Sequence, residues 1–174
     1  QEFIGDDNFG PLGELWFTGM PKAQYARIPL SELSVKNPKG HSIAGCWLWY
    51  PADKLAALQQ IEITVLAPSE GCSFYFLRIP VGLKLILKGG GHKLLSFSAG
   101  KLRASVVLMT TGPDDPLGGC KVVFGERGFM AGVRMLLLNT DMIIKRGTLW
   151  SDEILVQGAN QHGIVDLQSG KLID

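Results

Sequence analysis

Leu83-Lys84-Leu85-Ile86-Leu87-Lys88-Gly89-Gly90-Gly91-His92-Lys93-Leu94-Leu95-Ser96-Phe97 decides the reading of this chain. Two apolar runs of strand length enclose a glycine turn, and no helical period intrudes. The unit returns downstream. Ser105–Met109 precedes a Gly/Pro/Asp turn and then Lys121–Gly125. Val133–Leu138 precedes Asn139-Thr140-Asp141 and then Met142–Gly147, and Glu153–Val156 with Gln157–Asn160 begins a fourth copy. Aligning His92, Cys120 and Asp141 gives steps of 28 and 21 residues, the longer one carrying Pro113-Asp114-Asp115-Pro116. Repeats of this length mark one supersecondary unit stacked on its neighbours, each covering the next one's apolar face. An antiparallel meander, sandwich or barrel accounts for strand–turn–strand but not for the recurrence. The expected fold is mainly β: a β-rich N-terminal region with one short helix over 1–82, then a parallel β-helix of three to four coils over 83–174.

Upstream of Leu83 the signals are more varied. Ala26–Leu30 contains a proline and suits an edge strand at most. Gly45–Tyr50, Ile61–Leu66 and Ser73–Ile79 read as strands, being aromatic or β-branched. Pro51–Gln60 reads as a helix, with proline in the first turn and Ala and Leu following. His41 stands in a polar loop, with a solvated side chain expected.

Composition bounds the function. Hydrophobic residues make up 46% of the 174 and charged residues 19%, which suits an ordered, well-buried chain. The net charge of +1 gives no global field to gather nucleic acid or an anionic membrane surface. No apolar run approaches the roughly 18 residues that span a bilayer, and the N-terminus shows no secretory pattern. Cys46, Cys72 and Cys120 form no CxxC pair, so buried reduced thiols are expected rather than a metal site. A cytoplasmic protein without metal, membrane or nucleic-acid partner is the expectation.

The stretch Ser151-Asp152-Glu153-Ile154-Leu155-Val156-Gln157-Gly158-Ala159-Asn160-Gln161-His162-Gly163-Ile164-Val165-Asp166-Leu167-Gln168-Ser169-Gly170-Lys171-Leu172-Ile173 resembles a segment of the left-handed β-helix, hexapeptide-repeat acyltransferases. The likeness is to the sugar and polysaccharide O-acetyltransferases. There a coil ends in a loop with Asp or Asn shortly before a histidine, followed by a stretch like "IxDxxTGxxI"; Ile164–Ile173 matches it with Ser169 in place of Thr. The resemblance covers about 90 residues and is most specific over 151–173. It implies acetyl transfer from acetyl-CoA to a carbohydrate hydroxyl, with His162 as general base. It leaves Asp166 or Asp152 to orient the ring, Asn160, Gln161 and Gly158 to face the acceptor, and the Gly158–Ala159 amides to help stabilise an oxyanion. Relatives continue for several coils that form the pantetheine slot between subunits, whereas this chain ends at Asp174, which reads as a truncation. An uncapped solenoid end exposes apolar surface and strand edges, so a homo-oligomer is expected, a trimer first and a dimer next. The alternative is a non-catalytic β-solenoid that binds or assembles.

Overall fold

The computed structural model describes residues 24–98, 100–111 and 118–158, together with the backbone of 164–165 and 172–173. The chain runs through β1 (Tyr25–Pro29), β2 (Trp47–Pro51), β3 (Glu62–Val65), β4 (Ser73–Phe76), β5 (Lys84–Lys88), β6 (Lys93–Ser96), β7 (Leu102–Met109), β8 (Lys121–Phe124), β9 (Phe129–Leu138), β10 (Asp141–Ile144) and β11 (Leu149–Gln157). Two further short strands, β12 (Ile164–Val165) and β13 (Leu172–Ile173), pair with each other antiparallel.

Strands of alternate rank stack in parallel. One sheet has the order β1-β2-β4-β6-β8-β10 and the other β11-β9-β7-β5-β3, so the chain climbs from sheet to sheet as a staircase. A third side forms where Val81 bridges Lys101, and Leu102, Met130 and Trp150 lie over one another. This is the mainly β parallel solenoid expected from the repeats. In both sheets the parallel ladder crosses residues 82/83 without a break, because β2 pairs with β4 and β3 with β5. Antiparallel pairing in the sheets is confined to β1 on β2, with Ala26–Pro29 in the edge position anticipated for it.

Registers are specific. Trp47, Ser73, Lys93, Lys121 and Asp141 stand over one another, giving steps of 26, 20, 28 and 20 residues. Thus His92 and Cys120 are equivalent, as aligned, but the next member is Thr140 rather than Asp141. A slip of one residue exchanges the inner and outer faces of a strand, which is why Asp141 is exposed while Cys120 is buried. The segment Pro51–Gln60 also departs from expectation. Pro51 closes β2, and the helix is a 3-10 turn over Leu55–Gln60, its bonds spanning three residues (Ala57 N–H to Lys54 O, Ile61 N–H to Leu58 O). No side-chain cap satisfies its N-terminus, so little favours a longer α-helix.

The core lies between the sheets. Phe74, Phe76, Leu94, Val122 and Phe124 from one meet Leu85, Leu87, Val106, Leu108, Met135 and Leu137 from the other, all at most 1% exposed. Each buried aliphatic or aromatic side chain contributes about 1.5–3 kcal/mol. Rungs approach so closely that one corner demands a left-handed backbone. Gly45, Gly71, Gly91, Gly119 and Asn139, each two residues before a short strand, all have φ between +45° and +93°. A Cβ on Gly91 would lie 2.6 Å from the Gly118 carbonyl oxygen, while one on Gly71 would meet nothing within 4 Å.

The two substitutions should therefore separate strain from collision. Gly71→Ala is expected to cost about 1–2 kcal/mol from the positive φ alone. Gly91→Ala, pressed on rigid backbone, is expected to cost roughly twice that or more. Urea midpoints of the two variants check the order, and equal midpoints would refute the packing argument.

Candidate functional site

The same corner carries the chain's concentration of polarisable side chains. Cys46, Cys72, His92, Cys120 and Thr140 follow the five left-handed residues and stack in one column, by the register of the strands they enter. The first four are at most 2% exposed. Their hydrogen bonds run along and across the column. The Cys46 thiol donates to Ser69 O (2.8 Å), and Cys72 N–H donates to Cys46 Sγ (3.3 Å). Cys120 N–H donates to His92 Nδ1 (3.1 Å), and the Cys120 thiol donates to Leu137 O (3.3 Å).

Nδ1 of His92 is thus an acceptor, which places the proton of the neutral ring on Nε2. Nε2 is buried without a partner of normal geometry. Burial drives the His92 pKa down to about 4, opposed by the nearby backbone of Gly89. All three cysteines are free thiols. A hydrogen bond shared between Cys46 and Cys72 lowers the first and raises the second, while burial raises Cys120. All three are buried among apolar side chains and pack the core. No group of three His, Cys, Asp or Glu side chains suited to a metal occurs among the described residues. His41 differs from expectation: Asn37 Oδ1 accepts its N–H, Asn37 Nδ2 donates to its carbonyl, and its Nε2 is buried.

Outside this corner runs a groove of about 890 Å³, lined by Gly45, Gly71, Lys88, Gly89, Gly91 and Thr110 among others. Backbone makes up much of its wall, with Glu70 and Lys88 as its charged side chains. Gly158, just past β11, is held by the neighbouring rungs. Gly158 N–H donates to Leu136 O (2.8 Å) and its carbonyl accepts from Thr140 Oγ1 (2.9 Å). Its amide is therefore committed to the ladder rather than offered to an oxyanion. A Cβ at Gly158 would lie 2.8 Å from Thr140 Oγ1. Asn160, Gln161, His162 and Asp166 lie outside the described residues.

Asp152 stands elsewhere. It pairs with Gly132 in the first half of β11, and the register shifts just beyond it, where Glu153 takes a φ of +59°. That break divides the strand, and the run Ile154–Gln157 stands between Asp152 and Gly158. The structure thus does not bring these two candidates together. Sequence reasoning passed over the Cys/His column, although its signal is plain: Gly45-Cys46, Gly71-Cys72, Gly91-His92, Gly119-Cys120 and Asn139-Thr140 each repeat a turn residue before a small or polarisable one.

Fold and corner together define a parallel β-solenoid with an edge groove. Among solved structures the chain is similar to the polySia-specific acetyltransferase NeuO, at 16% identity and a TM-score of 0.46, over 66% of this chain and 49% of that one. The chain thus spans about half of that protein. No family model and no curated protein matches.

The His92 ring makes a pH prediction. An unfolded histidine takes up its proton near pH 6.5, the folded one only near pH 4. Between those values the unfolded state holds more protons, so stability falls as pH falls, by up to about 3 kcal/mol. His92→Gln should flatten the dependence of the urea midpoint between pH 6.5 and 4. An unchanged slope in the variant would refute a buried neutral ring.

Proposed function

We propose that this chain is the scaffold of an acyltransferase-like β-solenoid that moves an acetyl group from acetyl-CoA to a carbohydrate hydroxyl. The observation that carries the reading is the sequence pattern of 151–173, whose first part, 151–157, lies in β11. His162 takes the hydroxyl proton as the oxygen attacks the thioester carbonyl; the carbon–sulfur bond breaks and the thiolate leaves, to be protonated as free CoA. Asp166 orients the imidazole, with Asp152 the more distant candidate, and Asn160 and Gln161 face the acceptor beside Gly158. The groove's wall of backbone, with one lysine and one glutamate, suits a largely uncharged extended chain such as a glycan or a pantetheine arm better than a cluster of phosphates. No helix among the described residues is long and apolar enough to cross a membrane, and we place the protein in the cytoplasm.

His162→Ala is expected to lose 10²–10⁴-fold in acetyl transfer, followed as free thiol released from acetyl-CoA in the presence of oligosaccharide. Acetyl-CoA at 100 times its dissociation constant should add about 2.7 kcal/mol to wild-type stability. Undiminished turnover in the variant would remove His162 from the reaction. No transfer and no thermal shift with the wild type would leave a binding scaffold.

Self-association belongs to the same proposal, with a trimer expected before a dimer. The outer face of the β11-β9-β7-β5-β3 sheet supports it. Register places Thr64, Ile86, Val107 and Leu136 in one outward row and Leu66, Lys88, Met109 and Leu138 in the next. In these rows Leu66 is 43% exposed, Ile86, Met109, Leu136 and Leu138 are half-buried, and Val107 is buried. Apolar side chains partly in water on an outer sheet face suit burial against a second copy. Leu136→Glu should shift the sedimentation profile to monomer; an unchanged oligomer would clear this face of the role.

A further inference from the structure

The third side of the solenoid, where Leu102, Met130 and Trp150 lie over one another, carries an exposed ridge. Successive strand residues point to opposite sides. Leu102 and Met130 are 1% exposed, so Lys101 and Arg103 on one rung, and Phe129 and Ala131 on the next, face outward. Register stacks Val81, Lys101, Phe129 and Leu149 in one outward column. Val81 is 43% exposed, Phe129 40% and Leu149 75%, so this column holds three of the six exposed large apolar side chains among the described residues. The ladder fixes it in place. Leu102 N–H donates to Val81 O, Met130 N–H to Lys101 O and Phe129 N–H to Thr148 O, each at 2.9 Å. Three steps between rungs make the ridge about 14 Å long. Cations flank it. Arg127 and Arg146 lie in the turns that lead into Phe129 and Leu149, Lys101 stands within the column, and Arg103 takes the next outward position. All four are exposed, and none has an ion-pair partner among the described residues. The acids of this side are Glu126, half-buried in the turn before Phe129, and Asp152 and Glu153, further along where the register of β11 breaks. The net charge of +1 for the whole chain thus conceals unpaired cations gathered around exposed apolar groups.

We propose that this ridge docks the protein peripherally on an anionic lipid surface. Val81, Phe129 and Leu149 enter the head-group layer, while Lys101, Arg103, Arg127 and Arg146 meet lipid phosphates and carboxylates. A small ligand needs a concave site, and the grooves at the glycine corner, beside the 3-10 turn and on the five-stranded sheet are lined by other residues. A protein partner would need an acid opposite each unpaired cation, and a second copy of the ridge would set like charges together. Anionic head groups supply charge at any spacing. Binding to such a surface grows with the apolar area buried and with the number of cations, and the ridge supplies both. Lysine and arginine stems lie along apolar neighbours while their charged ends reach the phosphates. The attachment uses none of the residues that line the glycine-corner groove, so it stands or falls apart from acetyl transfer.

The docking is tested by sedimenting the full chain with vesicles of phosphatidylcholine alone and of equal parts phosphatidylcholine and phosphatidylserine. Binding to the second and not the first is expected, weakening as salt is raised. Phe129→Ser with Leu149→Ser, and separately Arg127→Glu with Arg146→Glu, should each weaken it about tenfold or more with the far-ultraviolet circular dichroism retained. Leu55→Ser, which alters an exposed leucine on the 3-10 turn, should leave it unchanged. A second measurement places an environment-sensitive fluorophore on Leu149→Cys or on Leu55→Cys. Emission at 149 should shift to the blue on the anionic vesicles, and emission at 55 should not. A wild type that stays in the supernatant, equal binding by the folded double variants, or a fluorophore at 149 that remains in water would each overturn the proposal. Binding to a polyglutamate peptide but not to vesicles would give the ridge to an acidic protein and overturn it equally.

Discussion

A parallel ladder between successive coils is the constraint on which everything else rests. Parallel strands joined by short connections must turn the chain back over itself at the same place in every rung. This molecule does so with a left-handed residue two positions before each short strand: glycine four times and Asn139 once. The rungs then approach closely enough that a carbonyl of one lies where a Cβ of the next would stand, as at Gly91 against Gly118. Glycine is required there for two independent reasons, its backbone freedom and its missing side chain. Asn139 shows that where room exists a side chain is tolerated, since asparagine enters the left-handed region more readily than most residues.

Once the corner is set, columns of like positions follow. A residue placed one step after the turn recurs at the same depth in every coil, so its environment is shared by five side chains. That depth suits a small or polarisable group that can pair with backbone, and Cys46, Cys72, His92 and Cys120 supply one. His92 is the costly member. Its Nδ1 satisfies the Cys120 amide, while Nε2–H is buried without a partner of normal geometry, at a penalty of about 1–3 kcal/mol. A cysteine there would avoid that penalty. What the histidine offers is a ring that reaches the amide of the next rung and ties two coils across the longest step of its own sheet, 28 residues between Lys93 and Lys121.

Much of the fold was legible because stacking leaves a periodic trace. Strand positions in both halves, the parallel solenoid and the edge strand near Ala26 were read from apolar runs and turns. Other features escaped for identifiable reasons. The step to Asp141 was misjudged by one residue, since apolar runs of four to six residues with both faces partly buried do not mark which face is inner. The first rungs were not joined to the later ones because a 26-residue step between Trp47 and Ser73 hides the period, its extra length taken up partly by the 3-10 turn. The Gly-Cys pairs at 45–46, 71–72 and 119–120 would have revealed both the start and the register. Of the candidate site, sequence placed Gly158 and Asp152 on one segment but could not show that a register break at Glu153 divides that strand between them.

The two outer faces complete the physical logic of the scaffold. A solenoid sheet is apolar inside by necessity; its outside is free to be polar, and where it is not, something must lie on it. One outer face here is sealed within the chain, around Leu95 and Val123, and the other keeps Leu66 and Leu155 in water. The first arrangement confines the apolar column to folding, and the second leaves surface for association. Chemistry then has little place on the faces themselves, where side chains are spent on stacking, and falls to the corners and the loops that depart from them. Gly158 ends one such face: its amide and carbonyl are both bound to the last rungs, which fixes the position of the end of β11.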